Sequence, residues 1–140
     1  MKTPLKTFAL IAGGAALALA GSAASAIHIS AKDRQNGEAR LARMLAGRTP
    51  GEPVSCINTL RTNRVEVIDG VAVVYNAGRT IWVARPLDPN MLGRNDAVVM
   101  DRFSPSRLCV QEPMRTIDRY DHYNTGVLFL KDFVPYTRAD

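Results

Sequence analysis

The sequence predicts an α+β fold that is predominantly antiparallel β. The expected core is a small meander or barrel-like sheet of about five to six strands with one N-terminal helix, behind a cleaved signal peptide. Three observations carry this. From residue 54 onward, runs of β-branched and aromatic residues alternate with Gly, Asn, Asp and Pro clusters. A single stretch, residues 30–48, has its apolar residues at helical spacing. The only long apolar run, residues 8–20, sits in a leader that the fold does not use.

That leader has the three parts of a secretory signal in order. Lys2 and Lys6 make a positive start without an acid, residues 8–20 are apolar, and Ala24-Ser25-Ala26 offers small side chains to signal peptidase. A bilayer span needs about 20 apolar residues, so the run is too short for an anchor. No Cys lies near the cleavage site to take a lipid. Cleavage after Ala26 is expected, with a periplasmic or secreted product. The chain then divides into residues 1–26 (signal), 27–53 (helix and linker) and 54–140 (β-rich domain).

In the helix, Leu41, Met44 and Leu45 fall at i, i+3 and i+4, giving one narrow apolar face suited to packing on a sheet. Asp33 or Asn36 is the expected cap and Gly47 the expected end, and Arg40 and Arg43 fall on the water side. Thr49-Pro50-Gly51-Glu52-Pro53 breaks the chain direction.

The clearest β signal is Arg64-Val65-Glu66-Val67-Ile68, then Asp69-Gly70, then Val71-Ala72-Val73-Val74-Tyr75. Asp-Gly between β-branched runs suits a two-residue type I′ turn. It would set Ile68 against Val71 and Val65 against Val74, with Val65, Val67, Ala72 and Val74 on the core face and a mixed outer face. Residues 80–84 supply a third strand, residues 97–103 and 116–120 two more, and residues 127–134 the last, stopped by Pro135.

Composition narrows the function classes. The net charge of +5 falls to +3 once Lys2 and Lys6 are removed. The arginines are spread singly among acids and no nucleic-acid motif accompanies them, so no nucleic-acid partner is expected. Cys56 and Cys109 are the only cysteines. In an oxidising compartment an even pair in a small domain reads as a disulfide, and a bridge closing residues 56–109 stabilises by about 4 kcal/mol on the chain-entropy argument.

Chemical motifs are few. The loop Asp88-Pro89-Asn90-Met91-Leu92-Gly93 starts like a calcium loop, but Leu92 fills the fifth position and Val99 the twelfth, where oxygen ligands belong. His28 lies just past the cleavage site. His122 sits in Asp118-Arg119-Tyr120-Asp121-His122-Tyr123, the one dense polar-aromatic cluster. A zinc site needs three or four ligands, and no second His or paired Cys is at hand. Ser55, Ser104 and Ser106 have no partnered base nearby in sequence. No metal, cofactor or catalytic residue is assigned.

The β region resembles a family of small exported proteobacterial proteins of unknown function. The matching features are Cys56-Ile57, the hairpin over residues 65–75, Leu108-Cys109 and Phe133-Val134-Pro135-Tyr136, covering most of residues 54–136. The helix and its run-in lie outside that pattern. The resemblance implies a paired-cysteine β-rich domain and carries no established activity or site.

The leading expectation is a non-enzymatic periplasmic module that binds a protein or cell-wall partner. Its expected surface is formed by Tyr75 and Trp82 on the outer face of the hairpin sheet, with Tyr120, His122 and Tyr123. Two other readings stay open. One is a small envelope hydrolase or metal-dependent enzyme using His122 with Asp118 or Asp121. The other is a secreted inhibitor presenting a disulfide-anchored loop.

Overall fold

The computed structural model describes residues 29–60 and 64–139. The signal segment and His28 lie outside the described residues. The described residues fold as α1 (Ala31–Leu45) followed by ten strands: β1 (Arg48–Pro50), β2 (Cys56–Asn58), β3 (Arg64–Ile68), β4 (Ala72–Ala77), β5 (Thr80–Ala84), β6 (Asp96–Met100), β7 (Arg107–Cys109), β8 (Met114–Asp118), β9 (Asn124–Leu128) and β10 (Val134–Arg138). A short 3₁₀ turn, Pro89–Met91, precedes β6. The α+β, mostly antiparallel class is as expected. The main sheet is open and five-stranded, in the order β1-β10-β5-β4-β3, and contains the β3–β4–β5 meander. The remaining strands form two smaller sheets, β2-β7 and β6-β8-β9.

α1 starts one turn earlier than its expected caps. Ser30 is the N-cap: its hydroxyl accepts from the Asp33 N–H at 3.1 Å and donates to the Asp33 carboxylate at 2.7 Å. This satisfies one of the orphan donors of the first turn. Gly47, at φ 71°, follows the helix end, where a left-handed residue costs glycine little. Leu41 is buried, and Met44 and Leu45 pack beside it against Ile68, Ala72, Val74, Ile81 and Val83 of the main sheet. Arg85, at the end of β5, grips Glu38 of the helix with two parallel bonds of 2.6 and 3.0 Å.

The opposite face of the main sheet is covered as well. Val73, Tyr75 and Ala84 meet Ile57, Leu92, Leu108, Met114, Leu128, Leu130 and Phe133 in a second core. The molecule is therefore layered: helix, five-stranded sheet, then the two small sheets. β4, buried on both faces, reads as a continuous apolar run for that reason.

This double burial corrects the expected hairpin. The turn takes three residues, Asp69, Gly70 and Val71, and the ladder pairs Ile68 with Ala72, Val67 with Val73 and Val65 with Tyr75. Only Gly70 of the two expected residues has positive φ, at 64°, so the turn is not type I′. The one-residue shift exchanges the faces. Val67, Val73 and Tyr75 point to one core, and Ile68, Ala72 and Val74 to the other. Tertiary contacts hold the turn: the Gly70 N–H donates to the Leu92 carbonyl at 2.8 Å. A Cβ on Gly70 would stand 2.6 Å from Ile29 Cδ1.

Two proline readings also change. Thr49 and Pro50 belong to β1, a short edge strand paired with β10. Pro135 lies inside β10 instead of ending the preceding strand. Its carbonyl accepts from the Gly51 N–H at 2.8 Å on the β1 side. The missing N–H points the same way, past the end of β1, so the ladder to β5 loses nothing.

Cys56 and Cys109 are bonded and sit directly opposite each other in the β2–β7 ribbon. The flanking Val110 N–H to Ser55 carbonyl bond makes theirs a non-hydrogen-bonded pair, the closer of the two antiparallel positions. Glu112 lies beneath, nearly buried, its carboxylate accepting from the N–H groups of Phe103 and Cys109 at 3.2 and 3.1 Å. No helix among the described residues is long and apolar enough to cross a membrane.

Candidate functional site

The five aromatic and histidine positions expected to form one surface separate into two groups. Tyr75 and Trp82 are cross-strand partners on the face that the small sheets cover. Tyr75 is 1% exposed, stacks edge-on against Phe133 with ring centroids 5.8 Å apart, and donates its hydroxyl to Met100 Sδ at 3.1 Å. Burial pushes its phenol pKa well above the usual range. Trp82 is half-buried against the same core. The expected outer aromatic face therefore does not exist at Tyr75, because a second layer packs on it.

Tyr120, His122 and Tyr123 lie on the tip between β8 and β9, exposed as expected; Tyr120 is 76% and Tyr123 53% exposed. The tip is closed by its own first residue. The Asp118 carboxylate accepts from the N–H groups of Tyr120 and Asp121 at 2.8 and 2.9 Å. The Asp118 carbonyl accepts from the His122 N–H at 3.0 Å, and the Asp118 N–H donates to the Tyr123 carbonyl at 2.9 Å. His122 takes the left-handed conformation, φ 57°, that this tight return requires. The Asp121 and Tyr120 N–H groups hold the Asp118 carboxyl below its ordinary range. Asp118 is thus an ionised turn clamp.

Beside this tip opens a cleft of about 330 Å³. Its other wall is the segment from Asn90 to Asp96, the stretch that begins like a calcium loop. In the fold, Asp88 caps the 3₁₀ turn, its carboxylate accepting from the Asn90 N–H at 2.9 Å. Asp96 lies opposite Asp118 across β6 and β8. It ties the two walls together, accepting from the Gly93 N–H and from the Thr125 hydroxyl, each at 2.8 Å. A Cβ on Gly93 would stand 2.7 Å from the Asp96 carboxylate and would push that carboxylate aside. Buried Thr116 forms part of the lining, and Asn90, Asn95, Arg94 and Tyr123 complete its polar groups.

Two polar loops that stand apart in sequence thus converge. His122 is not among the lining residues. Asp96 and Asp118 are; both oxygens of Asp96 are engaged, and one oxygen of Asp118 holds the Tyr120 and Asp121 N–H groups. The Thr125 hydroxyl is spent on Asp96. What the cleft offers a ligand is amides, the second oxygen of Asp118, a phenol, the Met91 thioether and the Arg94 guanidinium, which pairs with Asp33. Among the described residues, no three His, Cys, Asp or Glu side chains are placed to hold a metal ion.

Arg94, Asn95, Asp96, Thr116 and Thr125 are site residues that sequence reasoning missed. The polar run before β6 marks them weakly. Only the β6–β8–β9 pairing shows that they face the Asp118 loop. No family model, curated protein or solved structure matches this chain.

Proposed function

We propose that this protein is a small exported binding module of the bacterial envelope, and that cell-wall material occupies the cleft between residues 90–96 and the Tyr123 loop. One observation carries the reading: the two polar loops meet around a concave space that presents amide, guanidinium and aromatic groups beside the Asp96 and Asp118 carboxylates. A cleft of this volume is at the lower end of small-ligand sites, about 300–1,000 Å³, and suits a short polymer fragment better than a flat protein surface. Export is supported by the leader at residues 1–26 and by the Cys56–Cys109 bridge, which needs an oxidising compartment to persist.

Shift mapping of the disulfide-bonded protein with a soluble peptidoglycan digest tests the site. The amides of Asn95, Asp96, Tyr123 and Thr125 should move together. Shifts confined to other regions, or none, overturn the assignment. Intact mass of the protein from a periplasmic fraction tests the address: the chain should begin at Ile27.

A further inference from the structure

The two edges of the five-stranded sheet differ. β1 is three residues long and ends in Pro50, features that keep an edge from accepting another strand. β3 is five residues long and has no proline. In the small sheet, the end of β9 is covered: the Leu87 N–H donates to the Phe129 carbonyl at 2.8 Å, and Pro86 bridges to Leu130.

The register fixes which groups of β3 face outward. The Arg138 N–H donates to the Arg79 carbonyl at 3.1 Å, so Ile81 and Val83 stand in the hydrogen-bonded pairs with β10. Alternation then turns Thr80, Trp82 and Ala84 toward β4, where they bond Ala77, Tyr75 and Val73. Ala72, Val74 and Asn76 are left to bond Ile68, Glu66 and Arg64 of β3. The N–H and C=O groups of Val65 and Val67 therefore point outward in the plane of the sheet. No hydrogen bond among the described residues takes them. The turn end of this edge is covered, since Gly70 donates to Leu92, but Arg64 is exposed and Val65 is 45% exposed.

The charges on this edge complement themselves. Arg64 makes no ion pair among the described residues. Glu66, two positions on and on the same face, holds Arg40 through one oxygen only. The outward residues of β6, Val98 and Met100, have the uncharged Ala97 and Val99 as neighbours, which give no such pattern.

We infer that two copies of this chain pair edge to edge through β3, antiparallel about a two-fold axis at Val65, joining their five-stranded sheets into one. In that register the two Val65 residues exchange both backbone bonds. Arg64 of each protomer stands opposite Glu66 of its partner, at the closer, non-hydrogen-bonded position, and the axis repeats the pair. The neighbouring register, centred on Glu66, sets carboxylate against carboxylate.

Sedimentation equilibrium of the disulfide-bonded chain tests the pairing, and amide hydrogen exchange locates it. A monomer–dimer equilibrium is expected. Protection of the Val65 amide should rise with protein concentration, while that of the Val98 amide, outward on β6, should not. Arg64→Glu, at an exposed position, sets like charges opposite each other twice and should weaken dimerisation about tenfold. Val65→Pro removes an outward donor that the sheet does not use and should leave a monomer. If the proline variant does not fold, Arg64→Glu decides. A chain still monomeric at about 1 mM overturns the inference. So does a dimer that neither substitution weakens, or one in which Val65 protection is independent of concentration. Val65 protection that needs periplasmic extract, in a chain monomeric on its own, gives the edge to a different partner and overturns it too.

Discussion

The β3–β4 hairpin turns inside the molecule, where Gly70 donates to Leu92 and packs on Ile29. The β8–β9 hairpin turns in solvent, where the Asp118 carboxylate and backbone close the loop with bonds from residues at most five positions away. The first turn has one local bond, from the Val71 N–H to the Ile68 carbonyl, and is otherwise positioned by groups distant in sequence; the second is closed mainly by its own residues, with Arg119 donating to the Asn95 and Asp96 carbonyls. A turn closed locally can expose its aromatic side chains and stay in one conformation, which a binding surface needs. A turn closed by tertiary packing commits its apolar side chain, here Val71, to the core.

The largest test of this contrast compares tyrosines. Tyr75→Ala should cost about 3–5 kcal/mol in urea unfolding, since an aromatic is lost from a packed core. Tyr123→Ala should change stability by no more than about 0.5 kcal/mol while weakening binding of the peptidoglycan digest. Equal costs would remove the distinction between the two hairpins.

Next comes the turn glycine. Gly70→Ala should cost about 1–3 kcal/mol, because its φ of 64° and the approach of Ile29 both disfavour a Cβ. Calorimetric melting measures it, and an Ile29→Ala background should recover part of the loss by relieving the steric share.

The smallest effect is on pH dependence. Asp118 and Glu38 have carboxyls held below their ordinary range, by the Asp121 and Tyr120 N–H groups and by Arg85 respectively. Their contribution is present above the ordinary carboxylate range and lost as pH falls through their folded values. Asp69 acts oppositely: its raised pKa penalises the ionised folded state, and acid relieves that penalty. The urea midpoint should therefore fall between about pH 6 and pH 3, and by less in Asp118→Asn. An unchanged pH slope in that variant would show that the carboxylate does not clamp the loop.

Much of the fold was legible in local pattern. Leu41, Met44 and Leu45 marked the helix face, β5 fell at residues 80–84 as expected, and the cysteine pair formed its bridge. The β3–β4 register was not legible. Alternation specifies register when one face is polar, and Ala72, Val73, Val74 and Tyr75 are apolar on both. For the same reason Tyr75 looked free to face outward. At the candidate site, the Asp118–Tyr123 cluster stood out by composition, but its partner wall did not. Asp96 and Thr125 are ordinary strand residues until pairing sets them against each other.

Propensity, capping and turn chemistry act within a few residues, so the helix, the turns that close through their own side chains and the β-rich class are written locally in the chain. The disulfide pairing also followed from it, since two cysteines admit one intramolecular partner. Which face each strand buries, where Pro135 fits and how two loops make one cleft were settled by long-range packing. Those outcomes depend on the layers that cover the five-stranded sheet from both sides, and burial by residues distant in the chain leaves no local mark.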